Sequence, residues 1–262
     1  MTCVQGQGFG QNLNPSYKQT GIAGHPGIDE SCGFGTPGHA IYDGPAYKVV
    51  TPANAGPEGF TGVFQLVDDG LECFEWLTGH CDPLVQPGTP VHKGDLFFTE
   101  ANHGKVYSGN IEITLAMQKA GNKAGAHRHY QKRPVMPVPS TDWRYEYLGG
   151  QTSSPYRDPQ GNYYRIIEPY NGFNGCVDPL RPTFYRDLTV GRSGYDVFVL
   201  QRLLRRKGYF GAEPTAFFGA FTAVAVAKYQ SANGITPTSY FGPLTRTLAL
   251  RELSPLPVLS RE

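Results

Sequence analysis

Histidine and aspartate residues in the first half of the sequence have spacings that could bind a metal ion. Residues 25–29 read His-Pro-Gly-Ile-Asp, and the proline and glycine disfavour a helix, so we predict a turn that leads into a strand. Residues 127–129 read His-Arg-His, and on a strand two residues at i and i+2 project from the same face, with Arg128 on the other. His25, Asp29 and one histidine of the later pair could supply two nitrogens and a carboxylate oxygen. Three protein ligands with an open fourth position are typical of catalytic zinc.

Spacing alone does not decide whether His127 or His129 is the ligand. Each motif by itself is common on proteins without a metal. The two motifs together in one Gly-rich domain, with His80 in a loop between them, favour a metal site.

Short strands are the elements that would position these residues. Residues 1–135 contain brief apolar alternations separated by glycine and proline turns, which indicate antiparallel strands with one wetter face. The clearest examples are 46–50, 62–67 and 110–115. Residues 136–186 are rich in proline, tyrosine and glycine, and within them residues 162–167 predict an accessory hairpin that runs on into a linker.

The apolar period becomes helical from residue 187 onward. Apolar residues recur every three or four positions in 197–204, again in 218–230, and in a shorter run at 244–250. We therefore predict a multidomain chain, with a mostly antiparallel β domain followed by an all-α module of three helices over 187–262. No internal repeat is evident in the module.

Composition narrows the class of protein further. The net charge is only +1, so no strong field favours nucleic acid as a partner. No apolar run is long enough to span a membrane, so we expect no membrane insertion. The first residues have neither the basic start nor the apolar stretch of a secretion signal. This predicts delivery by a phage, release on lysis, or a leader that is absent from this chain.

The five cysteines do not form a metal-binding pattern, because no two have the spacing of a zinc finger. Their number is odd, and free thiols in a reducing compartment are the expectation. A bridge between Cys73 and Cys81 is the alternative that stays open.

The motifs of the first domain resemble those of the lysostaphin-type zinc endopeptidases, which cut peptidoglycan peptides. The first family motif, Gly-His-x-Gly-x-Asp, is matched by residues 24–29. The middle motif, a histidine at a strand end followed by a Gly-x-x-Val-x-x-Gly-Asp hairpin, is matched by His80 and residues 88–95. The last motif is matched by residues 125–130, which read Gly-Ala-His-Arg-His-Tyr. The resemblance spans residues 9–132, with all motifs in the family order.

This resemblance implies that His25, Asp29 and His129 bind zinc and that His127 and His80 are the catalytic pair. The remaining histidines match no functional position of the family and are interpreted as surface or turn residues: His39, His92 and His103. The sequence departs from the family pattern at Arg128 and Ala126, neither of which would be a ligand. The segment before residue 125 is longer than usual, and we expect residues 111–115 and 119–123 to form a groove wall. No substrate-binding residue is assigned.

The second part of the chain resembles the three-helix peptidoglycan-binding module found on wall hydrolases. Residues 191–204, Gly-Arg-Ser-Gly-Tyr-Asp-Val-Phe-Val-Leu-Gln-Arg-Leu-Leu, follow the signature of that module. Tyr195, Tyr240 and Arg206 are candidate exposed residues for contact with the wall.

Together the two resemblances imply a monomeric, endolysin-like zinc endopeptidase that acts on peptidoglycan at the cell wall. The alternative is a degenerate protein of the same fold that has lost catalytic activity and serves as a peptidoglycan-binding or regulatory protein. A glycan-cleaving hydrolase would need paired carboxylates in a cleft, and no such pair stands out.

Overall fold

The computed structural model describes residues 3–9, 11, 25–108, 111–138, 156–157, 163–166, 176–253 and 255–256. The strands within these residues are β1 (Val4–Gln5), β2 (Ile28–Ser31), β3 (Pro37–His39), β4 (Ala46–Val50), β5 (Gly62–Asp68), β6 (Cys73–Gly79), β7 (Cys81–Pro83), β8 (Leu96–Glu100), β9 (Val106–Ser108), β10 (Ile111–Ile113), β11 (Arg128–Val138), β12 (Tyr156–Arg157) and β13 (Tyr163–Ile166). The helices are α1 (Leu115–Lys119), α2 (Tyr195–Arg206), α3 (Ala220–Ala232) and α4 (Pro243–Leu250). Over the same part of the chain, none of the helices is long and apolar enough to cross a membrane.

The largest sheet is antiparallel and has the order β1-β2-β11-β6-β5-β4. The β12-β13 hairpin extends it by pairing with the far end of β11. A three-stranded sheet of order β3-β8-β7 and the β9-β10 hairpin complete the β region. The predicted fold class, a mostly antiparallel β domain followed by a helical one, is therefore confirmed.

The predicted strand ranges agree with the observed strands to different extents. Residues 46–50 coincide with β4, and 62–67 fall within β5. Of 111–115, the part of the third run that the structure describes, Ile111–Ile113 is a strand, because the Thr114 side chain accepts a hydrogen bond from the Met117 amide and begins α1 there. The helix cap at Thr114 therefore ends the strand, although the apolar alternation in the sequence continues to Leu115.

The cysteines are not all free, and here the expectation was wrong. Cys3 and Cys32 form a disulfide, with their Cα atoms 4.2 Å apart. The pairing of β1 with β2 brings the two residues together, since Val4 lies opposite Ser31. Cys73, Cys81 and Cys176 are buried and take part in no disulfide, so the alternative bridge between Cys73 and Cys81 does not form.

The helical module contains an internal repeat that the sequence pattern did not reveal. Gln201 on α2 accepts hydrogen bonds from two backbone amides of the loop before α3, and its amide group donates to a backbone carbonyl and to the Thr222 hydroxyl. Gln230 on α3 makes the same set of bonds to the loop before α4 and to the Thr245 hydroxyl. Each loop holds one non-glycine residue at positive φ, Ala216 at 63° and Ser239 at 60°. Two equivalent side-chain clamps therefore set the angles between the helices.

The module packs directly on the β domain. Tyr195, one of the candidate wall contacts, is only 3% exposed, and its hydroxyl accepts a hydrogen bond from the Cys73 amide on β6 at 3.1 Å. Arg202 forms an ion pair with Asp68 on β5 at 2.6 Å. The apolar residues of α2 belong to the same buried cluster as Leu66 of the β domain. Tyr195 therefore joins the two parts of the chain and is not available to the wall.

Replacing Gln201 by leucine should lower the free energy of unfolding of the full chain by about 2–3 kcal/mol. The substitution leaves the buried Ala216 amide and the buried Thr222 hydroxyl without this partner, and each unsatisfied buried group costs about 1–3 kcal/mol. Urea unfolding followed by circular dichroism measures this. Lys228→Met, at an exposed position of α3, is the control and should change stability by less than about 0.5 kcal/mol.

Candidate metal centre and cleft

The centre of the largest sheet brings together residues that are far apart in the sequence. β2 and β11 run antiparallel with Asp29 opposite His129, so the two side chains project from the same face as cross-strand neighbours. On its other side His129 lies opposite Gly79 of β6. Gly27 leaves room for the imidazole, because a Cβ at this position would lie 2.7 Å from Cε1 of His129 and 2.2 Å from the Tyr130 carbonyl oxygen. The glycine of the first motif is therefore required by packing.

His25 completes a triangle of possible ligand atoms. Its Nε2 lies 3.1 Å from Oδ1 of Asp29 and 3.0 Å from Nδ1 of His129, and that Nδ1 lies 3.0 Å from the same oxygen. His25 and His129 are buried and Asp29 is partly buried.

The outer hydrogen bonds of the two histidines determine what the triangle can bind. The second nitrogen of His25 lies 3.3 Å from the Gly8 carbonyl oxygen, and that of His129 lies 3.4 Å from Oε1 of Gln131. When these nitrogens carry the protons, the two that face Asp29 are lone-pair acceptors. Three acceptor atoms then converge without a proton between them, an arrangement that a cation stabilises.

The donor set fits zinc. Two imidazole nitrogens and a carboxylate oxygen are common catalytic zinc ligands, and bonds of about 2.0–2.1 Å in a tetrahedral site place ligand atoms about 3.3 Å apart. The separations of 3.0–3.1 Å in the triangle are close to this value. A second group, Cys3, Glu30 and Cys32, also lies close enough for a metal, but its two sulfurs are joined in the disulfide.

Two further histidines stand beside the triangle. The His80 and His127 rings have centroids 4.6 Å apart, and Nε2 of His127 lies 3.7 Å from Oδ1 of Asp29. In both rings Nδ1 meets a backbone carbonyl oxygen, that of His103 at 2.6 Å for His80 and that of Gly125 at 2.8 Å for His127. A proton on each Nδ1 leaves each Nε2 free to exchange protons with a substrate or water.

Burial and charge act on these groups in different ways. Burial opposes ionisation of Asp29, but contacts with the His129 and His25 rings, and the nearby His127 ring, hold the pKa of this carboxyl well below its usual range. Burial, together with the His127 and His129 rings, lowers the pKa of His80 to about 3. Asp29 is thus ionised and His80 neutral near pH 7.

Arg128 lies on the face opposite the histidines, as strand alternation predicted. It is 3% exposed, and its Nε donates to Oε2 of the fully buried Glu100 at 3.1 Å. Glu100 also accepts hydrogen bonds from the backbone amides of Cys32 and Gly33. The arginine that departs from the family pattern therefore ties β11 to β8 and to the end of β2.

All five predicted site residues line one cleft of about 730 Å³. The lining includes the apolar side chains of Phe60, Phe64 and Leu77, and also Lys105 with Tyr107 and Ser108 of β9. Residues 111–115 and 119–123 were expected to form a groove wall, but none of those that the structure describes lines the cleft. They contact its lining indirectly: β10 pairs with β9, and Gln118 of α1 donates to the Gly104 carbonyl.

Several residues at the site had no assigned role in the sequence. Gln131 and Arg133 follow His129 at two-residue steps on β11 and lie in the same cleft, so strand alternation could have indicated them. The N-terminal segment gave no such signal. Its Gly6 amide donates to the Asp29 carbonyl at 2.8 Å, and the Gln7 carbonyl accepts from the Asp29 amide at 2.8 Å.

A comparison with solved structures gives several matches to the β part of known proteins. LytU matches with 22% sequence identity and a TM-score of 0.35, over 50% of this chain and 72% of its own. The catalytic domain of the prophage-encoded M23 protein EnpA from Enterococcus faecalis matches with 20% identity and a TM-score of 0.34, over 50% and 81% of the two chains. That of lysostaphin from Staphylococcus simulans matches with 19% identity and a TM-score of 0.34, over 50% and 80%.

A comparison with family models adds the second half of the chain. Residues 193–248 match the model of a peptidoglycan binding domain, so the helical region contains a wall-binding module. No curated protein sequence matches the chain significantly. The resemblance of the helical part to a peptidoglycan-binding module, drawn from the motifs, is thus also found by this comparison.

Proposed function

We propose that this chain is a zinc-dependent endopeptidase that hydrolyses peptide bonds of bacterial peptidoglycan, held on the wall by its helical module. The observation that carries the proposal is the convergence of acceptor atoms from His25, Asp29 and His129, 3.0–3.1 Å apart, in an open cleft. The motif resemblance supports a peptide bond as the target, and the family match over residues 193–248 supports the wall as the place of action.

The three converging residues would hold the ion. When bound, zinc supplies Lewis acidity, which polarises the carbonyl under attack and acidifies the attacking water. Asp29 contributes a negative charge, while Gly8 and Gln131 orient the rings of His25 and His129 from outside.

His80 and His127 would move the protons of the reaction. A neutral Nε2 accepts a proton from the attacking water, and a protonated Nε2 donates one to the leaving amine. His80 would be the acceptor, because burial lowers its pKa and keeps the ring neutral near pH 7, and its Nδ1 is occupied by the His103 carbonyl, which leaves the lone pair on Nε2. His127 stands on the Asp29 side of the pair, with its Nε2 3.7 Å from that carboxylate, and would donate the proton to the leaving amine.

The module would act by keeping the enzyme close to an insoluble substrate, since tethering raises the effective concentration without new contacts in the cleft.

Several properties of the chain stay predictions. They are the division into 1–135, 136–186 and 187–262, the monomeric state, and delivery by a phage or by lysis.

Purified protein is expected to contain about one zinc per chain and to release new amino termini, not reducing ends, from bacterial walls. A chelator should abolish the release and added zinc should restore it, because the metal supplies the Lewis acidity. Metal analysis and end-group analysis of digested walls measure both quantities. A chain that binds walls but holds far less than one zinc and releases nothing would instead be the degenerate, non-catalytic relative. New reducing ends would indicate a glycosidase.

A further inference from the structure

His80 has a backbone conformation that the surrounding structure must enforce. Its φ of 55° lies in the left-handed region, which is unfavourable for a residue with a side chain. The His80 amide donates to the Thr61 carbonyl at 2.9 Å, and its carbonyl accepts from the Ala101 amide at 3.0 Å. These bonds fix the backbone, and Nδ1 of the ring donates a hydrogen bond to the His103 carbonyl oxygen at 2.6 Å.

The loop that carries this carbonyl is held from several sides. Asn102 donates to the carbonyls of Asn122 and Ala124, at 2.7 and 3.0 Å. A Cβ at Gly104 would lie only 3.0 Å from Cα of Phe60, so the loop packs tightly against the cleft wall.

The His103 side chain makes a second contact between this loop and the segment that carries His80. Its Nε2 lies 2.8 Å from Oδ1 of Asp82, and Asp82 is two residues after His80 on β7. Two hydrogen bonds therefore join the same two segments: the His80 ring bonds to the His103 backbone, and the His103 ring bonds to Asp82, two residues after His80. A carboxylate bound to one ring nitrogen orients an imidazole.

We propose that His103 and Asp82 form a positioning clamp that sets the orientation and tautomer of the His80 ring for catalysis. The inference rests on the proposed function for the role of His80. Neither His103 nor Asp82 lines the cleft, so both act through the His103 carbonyl and not on the substrate. The His92–Asp43 pair is a weaker histidine–aspartate contact in the same chain, which serves as a control. Nδ1 of His92 lies 3.7 Å from Oδ1 of Asp43, and both side chains are more than three-quarters exposed.

The first test compares His103→Ala and His103→Gln in the zinc-loaded full chain. The alanine variant should lower kcat on a soluble muropeptide by about 10- to 100-fold with KM and zinc content unchanged, since small misplacements of catalytic groups have effects of this size. Glutamine places an amide donor near the position of Nε2 and should retain most of the activity. Asp82→Ala should match His103→Ala, and the double variant should be no worse than either. His92→Ala is the control and should change nothing.

A second readout does not depend on activity. Long-range proton–nitrogen NMR of the imidazoles should show His80 protonated at Nδ1 in the wild type and in His103→Gln, and a mixture of tautomers in His103→Ala. Unchanged kcat together with an unchanged His80 tautomer in His103→Ala would overturn the clamp, as would a rise in KM alone or a loss of zinc. If the wild type cleaves no walls, the proposed function fails, but the NMR comparison still decides whether the clamp exists.

Discussion

His129→Ala is expected to lose both zinc and wall hydrolysis, whereas His127→Ala is expected to keep zinc and lose turnover. The reason is geometric. Nδ1 of His129 lies 3.0 Å from both Oδ1 of Asp29 and Nε2 of His25, while Nε2 of His127 lies 3.7 Å from Oδ1 of Asp29. Removing a ligand should weaken zinc binding by more than about 100-fold, since even outer partners of ligands contribute 10- to 100-fold.

For His127→Ala the expected loss in kcat is about 10²- to 10⁴-fold, the usual contribution of a general acid or base. Zinc stoichiometry by metal analysis and kcat on a soluble muropeptide, measured on the same preparations, separate the two roles. His92→Ala controls for the loss of a histidine elsewhere, because its ring is exposed and outside the cleft. Retained zinc in His129→Ala, or retained turnover in His127→Ala, would contradict the assignment.

Replacing Cys3 and Cys32 together by serine is expected to destabilise the protein and to weaken zinc binding. The disulfide joins residues 29 positions apart, and closing a loop of this length stabilises a protein by about 3 kcal/mol. Both His25 and Asp29 lie inside the loop. The disulfide also anchors the segment whose Gly8 carbonyl lies against the His25 ring and whose backbone pairs with Asp29.

The serine variant should therefore bind zinc about 10-fold more weakly, in line with the effect of other outer partners of metal ligands. Urea unfolding gives the stability, and competition with a chromogenic chelator gives the zinc affinity. A reductant should produce the same changes in the wild type and none in the double variant. Equal stability and equal zinc affinity of oxidised wild type and variant would show that the segment does not support the ligands.

Local sequence was sufficient to predict structure wherever the conformation of a residue depends on its neighbours along the chain. The period of the apolar residues in 197–204 and 218–230 predicted α2 and α3, because helix periodicity is a local property. Alternation on a strand correctly placed Arg128 opposite the histidines, and the same rule would have added Gln131 and Arg133 to the cleft. The 110–115 run was predicted less well, since the Thr114 side chain starts a helix within it.

Contacts between distant segments account for the errors. The Cys3–Cys32 bond depends on β1 pairing with β2, and nothing in the spacing of the cysteines indicates that pairing. Tyr195 was a candidate for wall contact, yet it is buried against Cys73, 122 positions earlier in the chain. The repeat of Gln201 and Gln230 became visible only through their identical hydrogen bonds.

The sequence by itself indicated the class of chemistry that we propose, since its motifs offer two nitrogens and a carboxylate, and its periodicity predicted a β domain followed by helices. Tertiary structure decided which atoms meet: the antiparallel register of β2 and β11 sets Asp29 against His129, and the outer partners of the rings decide which nitrogens face the site. The physical reason is that residue types and local conformation follow from short-range sterics and hydrogen bonding. Distances between ligands instead depend on strand pairing across a hundred residues.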